Sequence, residues 1–377
     1  MSPERWQQIE DIFQTALDLA PEERNPYVTK ACAGDADLKR QAAKLDSSSH
    51  NIPVIDITAL VRKTDGRHEV STEIGRACRE SGFFYVVGHN VDESLQQRLE
   101  EVSRRFFAES ADAKLEISMS RAGRAWRGYF PVGRELTSGK PDLKEGIYFG
   151  AELDSDHPMV KAGAPMHGAN LFPSGIEGFR ETVLDYMSQM TRLGHSLMSG
   201  IALSLGLEES YFADRYTSDP LVLFRIFNYP PARRMPELES NWGVGEHTDY
   251  GLLTMLKQDM SGGLEVKVKS RWVAAPPIPN SFVCNIGDML DRMTGGLYLS
   301  TPHRVQKVTT HDRLSFPCFF DPNFNAEIKP IEIRRDVTDN KAERWDRASV
   351  HEFRGTYGDY LIGKVSKVFP DLRREVV

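Results

Sequence analysis

Apolar residues fall into three textures along the chain. Over residues 1–46, Trp6, Ile9, Phe13 and Leu17 recur at steps of three and four, the spacing of one helix face, and Pro21-Glu22-Glu23 opens a second helical stretch. The polar string Asp46-Ser47-Ser48-Ser49-His50-Asn51 reads as a linker. From Ile52 short apolar runs alternate with amphipathic ones: a strand at 52–56, a helix at 69–80, a β-rich run at Phe83-Phe84-Tyr85-Val86-Val87, and helices at 92–108 and 175–206. Met187, Met190 and Met198 on the last of these read as core filling.

After Asp219-Pro220 the period changes. Strands are predicted at 221–229, 252–257, 263–268, 281–286, 303–309 and 314–320, with Gly, Pro and Asn between them, and a helix at 356–369 closes the chain. Short strands at this density, without helices between them, predict an antiparallel barrel or sandwich. The expected class is mainly β with flanking helices. Its parts are a helical N-terminal extension over 1–46, an N-terminal region over 51–215, a β core over 219–325 and a C-terminal helical lid over 326–377.

Composition narrows the function. Hydrophobic residues make up 40% and charged residues 27%, the balance of a folded globular protein rather than a disordered one. The 377 residues carry 47 Lys and Arg against 54 Asp and Glu, a net charge of −7 that repels phosphate backbones and argues against nucleic acid. No run approaches the roughly 20 apolar residues that span a bilayer, and MSPERWQQIE is no signal peptide, so no membrane role is expected. Cys32, Cys78, Cys284 and Cys318 form no C-x-x-C pair; they read as reduced, packed thiols of a cytoplasmic protein.

Three clusters carry candidate chemistry. His247 and Asp249 stand two apart at the entrance to a strand, where residues i and i+2 face one way. A third donor, with His303 on a later strand as candidate, would complete a 2-His-1-carboxylate face with open positions for substrate and oxygen. H-x-D is common by chance, and a lone strand His is more often hydrogen-bonded structure. Arg313 and Ser315 share a face amid Phe316, Phe319 and Phe320. A dicarboxylic co-substrate would suit that guanidinium, although an internal ion pair would too. On the first core strand Arg225, Phe227 and Tyr229 share a face; Tyr229 could assist the same carboxylate or serve as a barrel-rim aromatic, and Arg225 could bind a second acid group.

Taken together, these residues resemble a family. From about Asn51 to Phe369 the chain is similar to the isopenicillin N synthase-like iron(II)/2-oxoglutarate dioxygenases. The strings that match are Ile52-Pro53-Val54-Ile55-Asp56, Gly82-Phe83-Phe84-Tyr85, Gly245 to Thr254, Asn285-Ile286-Gly287-Asp288, Ser300 to Val305 and Arg313-Leu314-Ser315-Phe316. The resemblance implies a double-stranded β-helix (jelly-roll) core and iron held by His247, Asp249 and His303. It also implies 2-oxoglutarate bound by Arg313 and Ser315 with help from Tyr229, and dioxygen as oxidant. Phe227 stands where plant members often have Asn, a departure that bears on the hydrogen bonding around the 1-carboxylate of the co-substrate.

Strings such as Ser138-Gly139-Lys140-Pro141-Asp142 and Asp321-Pro322-Asn323-Phe324 have the texture of bacterial ethylene-forming enzymes. Hydroxylation of a small molecule is the expected reaction, with ethylene formation or an isopenicillin N synthase-type oxidase as alternatives. A non-catalytic ligand-binding barrel is a further one. Substrate contacts are expected from Arg225, Tyr129, Arg134 and Glu135 and from the C-terminal lid. Residues 1–46 resemble the helical stretch that opens some bacterial serine/threonine kinases, with no kinase behind it; any protein partner of this extension is unknown.

Overall fold

Two nine-residue strands lie side by side at the centre of the molecule. Leu221–Tyr229 (β7) pairs antiparallel with Arg313–Asp321 (β14), from Arg313 opposite Tyr229 to Asp321 opposite Leu221. The structure is a computed structural model, and it describes residues 52–234, 242–308, 311–332 and 349–369, with Tyr27 and residues 30–32. The helices expected over 1–46 and the linker at 46–51 lie outside the described residues.

Around this pair the larger sheet runs, neighbour to neighbour, through Val54–Asp56 (β1), Phe83–Val87 (β2), Phe282–Ile286 (β12), Leu253–Gln258 (β9), β14, β7, Glu145–Gly150 (β6) and Gly128–Phe130 (β3). A smaller sheet runs through Arg271–Ala274 (β11), Leu264–Val268 (β10), His303–Gln306 (β13) and Trp242–His247 (β8). Leu136–Thr137 (β4) and Lys140–Pro141 (β5) form a separate short hairpin. Between β7 and β14 the chain crosses repeatedly from one sheet to the other, which is the jelly-roll winding. Strands β1, β2, β3 and β6, from the segment before the core, extend the same larger sheet.

Alternation gives β14 two faces. Arg313, Ser315, Pro317, Phe319 and Asp321 line the cavity between the sheets. Phe320, of opposite parity, meets the long helix Phe179–Ser204 (α3) that covers the back of the larger sheet. The approach is close: a Cβ on Gly194 would lie 2.4 Å from the Phe320 ring, so this helix turn must be glycine. Arg67–Glu80 (α1) and Glu93–Phe107 (α2) pack on α3. Asp92 caps α2 through the amides of Ser94 and Leu95.

The predicted elements recur with small shifts at their ends; β7 and β2 keep their predicted bounds. Strands β3, β6, β8 and β11 are not among the predicted ones. Trp242-Gly243-Val244-Gly245-Glu246-His247 has two glycines and little β propensity, and its pairing with β13 makes the strand. The His-x-Asp pair therefore stands at the exit of β8 rather than at the entrance to a strand. Past the core, Tyr357–Val368 (α5) begins in a capping box in which Thr356 and Asp359 exchange side-chain and backbone hydrogen bonds. A short helix, Asp288–Met293 (α4), follows β12. Cys32, Cys78, Cys284 and Cys318 are buried and form no disulfide among the described residues. Among the described residues no helix is long and apolar enough to cross a membrane.

Candidate active site

The ends of β8 and β13 bring the first two candidate ligands together. His303 is the direct cross-strand partner of His247, so two residues far apart in sequence sit on adjacent strands of the smaller sheet. Beyond β8 the chain turns, and Asp249 folds back toward both rings. One donor atom from each of His247, Asp249 and His303 lies within 4.8 Å of the others.

Hydrogen bonds fix how each donor presents itself. His247 Nδ1 lies 2.8 Å from the Gly245 carbonyl and His303 Nδ1 3.2 Å from that of Thr301. A carbonyl only accepts, so each Nδ1 carries a proton, and the neutral form of each ring then has its lone pair on Nε2. Burial, and then His247 beside it, push His303 down to about 4, so the ring is neutral at physiological pH. Asp249 Oδ2 accepts from Asn285 Nδ2 at 2.7 Å and Thr254 Oγ1 at 2.5 Å. Burial alone would raise the Asp249 carboxyl, but the two imidazoles and these hydrogen bonds hold it below the ordinary carboxylate range. Its Oδ1 stands 3.8 Å from His303 Nε2. Two imidazole nitrogens and a carboxylate oxygen that converge on one point fit a divalent iron with open positions.

The same cavity holds an unusual cation. Arg313 is 1% exposed, and no carboxylate lies within ion-pair distance of it among the described residues. Its Nε donates to the Gly262 carbonyl at 2.6 Å, Nη2 reaches Gln258 Oε1 at 3.4 Å, and buried Nη1 has no partner. Among the described residues there is no internal ion pair to explain this arginine. Ser315 and Tyr229 stand beside it, Oγ 3.4 Å from the phenol oxygen, with the guanidinium 4.6 Å from the Tyr229 ring centre. An orphaned guanidinium nitrogen next to two hydroxyls fits a carboxylate brought in by a ligand.

Other candidates divide. Arg225 lines the cavity, buried and stacked 3.5 Å over the Tyr148 ring, with no acidic side chain within ion-pair distance among the described residues. Glu135 lines it too, accepting from Tyr148 at 2.9 Å and paired with Lys144 at 3.0 Å. Burial would pull Lys144 down, but Asp142 and Glu135 hold it above its ordinary value. Tyr129 is not brought to the cavity: its phenol is turned to Glu145 Oε2 at 2.6 Å. Arg134 is exposed and does not line the cavity either. Sequence reasoning missed Asn285, Thr254 and Gln258 as supports; Lys144 and Tyr148 lie in the stretch 124–150 and Phe369 in the C-terminal lid from which substrate contacts were expected, though none was singled out. No local pattern marks them, because each acts across the sheets.

Comparison with known proteins agrees with this geometry. The model for the non-haem dioxygenase in morphine synthesis N-terminal region matches residues 52–175, and that for the 2OG-Fe(II) oxygenase superfamily matches 218–322. A probable iron/ascorbate oxidoreductase of Dictyostelium discoideum is 50% identical over 86% of this chain and 97% of its own. A homoarginine-6-hydroxylase of Glycine max is 36% identical over 85% of this chain and 98% of its own. Among solved structures, a full-length Neurospora crassa protein in complex with alpha-KG superposes with a TM-score of 0.69 and 26% identity, over 84% of this chain and 96% of its own. Likeness that covers both the N-terminal region and the jelly-roll core, including the strands that carry the His-Asp-His cluster, makes this chain a member of the 2OG-Fe(II) oxygenase superfamily, a 2-oxoglutarate-dependent dioxygenase that uses Fe(II) and dioxygen.

Proposed function

We propose that the protein hydroxylates a small molecule bearing a carboxylate, with 2-oxoglutarate as co-substrate. The observation that carries this reading is a pair of buried arginines in one cavity, Arg313 and Arg225, neither with an acidic partner within ion-pair distance among the described residues. A buried cation without an ion pair is costly; Glu135 and Asp321 favour the Arg225 charge from beyond contact distance, and a ligand carboxylate would pair each guanidinium directly. In this reading Arg313 Nη1, Ser315 and Tyr229 take the distal carboxylate of 2-oxoglutarate, and Arg225 takes the acid group of the substrate. The homoarginine-6-hydroxylase relative, whose named substrate is an amino acid, supports both the acid group and the reaction type.

His247, Asp249 and His303 would hold the iron. When bound, Fe(II) and 2-oxoglutarate would supply the electrons that activate dioxygen, which is the oxidant. The chain's own residues orient and exclude. Asn285 and Thr254 keep Asp249 turned so that Oδ1 faces the histidines. The Gly245 and Thr301 carbonyls hold the Nδ1 protons. Phe227, Phe319, Leu361 and Phe369 line an apolar enclosure that keeps water from the reacting carbon. Glu135, charge-balanced by Lys144, stands where a polar or cationic group of the substrate would be read.

The test is succinate formation from 2-oxoglutarate under air, with Fe(II), across a panel of amino acids, other carboxylic acids and their amides. Acids that stimulate succinate release, while their amides do not, support the reading. Stimulation by uncharged compounds alone would overturn the role of Arg225. No 2-oxoglutarate consumption with any partner would overturn the co-substrate.

A further inference from the structure

Two tyrosines three residues apart on α5 reach carboxylates that flank the loop carrying Asp249. Tyr357 donates its phenol to Asp321 Oδ2 at 2.5 Å, and Tyr360 donates to Asp288 Oδ2 at 2.6 Å. Residues at i and i+3 share one side of a helix, so both bonds anchor the same face. Tyr357, Asp288 and Asp321 are each no more than 2% exposed, which shields both bonds from competing water.

Each aspartate is tied directly to the loop 249–252. The Asp288 amide donates to the Asp249 carbonyl at 2.8 Å, the Met289 amide to Gly251 at 3.0 Å, and the Gly287 amide to Leu252 at 3.1 Å. Ser300 Oγ holds the other oxygen of Asp288 at 2.7 Å. On the opposite side Asp321 packs against Gly251 so tightly that a Cβ there would lie 1.4 Å from Oδ1. The loop is thus held between two carboxylates, and each carboxylate is held by a tyrosine of α5. The same helix and its C-cap turn Leu361, Val365 and Phe369 to the cavity, with the Phe369 ring 5.7 Å from Tyr148.

We propose that Tyr357 and Tyr360 are positioning residues that couple the wall of the substrate cavity to the metal loop through Asp321 and Asp288. The helix that encloses the substrate and the loop that presents Asp249 are then set as one unit. Loosening α5 weakens metal binding even though no residue of α5 is a ligand. This rests on the reading of His247, Asp249 and His303 as the metal site.

The experiment uses the full chain with Co(II) as a coloured probe of the site, comparing wild type, Tyr357→Phe, Tyr360→Phe and the double variant. Co(II) affinity is read from visible absorption, and hydrogen exchange is followed in 249–253 and 357–368. Supports of this kind typically change metal affinity by roughly 10- to 100-fold, and a loss of about tenfold is expected in the double variant. Exchange should quicken in both segments together. Ser366→Ala, on the same helix but bonded only to the Ile362 carbonyl, should leave both readouts unchanged.

Faster exchange in 357–368 with unchanged exchange in 249–253 and unchanged Co(II) affinity would overturn the coupling. If the double variant does not fold, Tyr360→Phe alone, at the less buried latch, decides it by the same criteria. If wild type binds no Co(II), the metal reading fails, while joint or separate exchange of the two segments still decides the latch.

Discussion

His247 and His303 face each other across β8 and β13, their ring centres 4.2 Å apart. Their separation is a property of the strand register, so the site inherits its precision from backbone hydrogen bonds rather than from side-chain packing. A register slip on either strand would turn one imidazole to the outer face of the sheet.

Replacing any one of the three ligands should remove the metal and leave the fold. His247→Ala, Asp249→Ala and His303→Ala should each lose turnover and bind Fe(II) weakly, with circular dichroism close to wild type. Metal content after dialysis and succinate release are the measurements. Full turnover by Asp249→Ala at ordinary iron loading would refute the assignment of these ligands.

Arg313 already commits Nε to Gly262 and Nη2 to Gln258, and it presents Nη1 to the cavity. Lysine keeps the charge but cannot make these bonds from one rigid plane. Arg313→Lys should raise KM for 2-oxoglutarate roughly tenfold or more, the scale of a lost charge-assisted hydrogen bond of about 1.5–3 kcal/mol. Ser315→Ala should show a smaller rise. Unchanged 2-oxoglutarate saturation in both would remove the clamp.

For Arg225 the effect should fall on the main substrate. Arg225→Leu removes a buried cation that has no ion pair within contact distance among the described residues. It should raise KM for an acidic substrate roughly tenfold or more while leaving KM for 2-oxoglutarate near wild type. A variant that keeps the wild-type preference for acids over their amides would show that Arg225 does not read the substrate.

A pH effect on stability comes from His89, which does not line the cavity. Its Nε2 meets the Asn280 carbonyl at 3.1 Å and its Nδ1 accepts from the Val91 amide at 3.1 Å, so the folded ring is neutral. Burial lowers its pKa, against a smaller opposing pull from Asn280. The unfolded value is about 6.5, so the unfolded chain binds more protons just below it. The stability that His89 contributes is therefore present above about pH 6.5 and lost as pH falls toward the folded pKa. His89→Gln should flatten the fall in Tm between about pH 7 and 5. Parallel curves for variant and wild type would rule this residue out.

Local order in the chain was sufficient for much of this protein. Period-two alternation on β7 and β14 put Arg225, Phe227 and Tyr229 on one face and Arg313 with Ser315 on another, and those faces line the cavity. Strand alternation is a backbone property that needs no partner to be read. The ligand types were equally visible, because few residue types bind iron. The neighbours were decided in three dimensions. Sheet order brings β13 beside β8, puts Asn285 and Thr254 on Asp249, and leaves Arg313 without an acid in ion-pair contact among the described residues. Tyr129 and Arg134 lie in a stretch whose short strands have no period long enough to aim a side chain, and cross-strand pairing of β3 with β6 turned Tyr129 to Glu145. The latch from Tyr357 and Tyr360 was likewise invisible, since a tyrosine on an amphipathic helix looks the same whether it meets solvent or a buried carboxylate. Only the packing of α5 over the barrel mouth distinguishes the two.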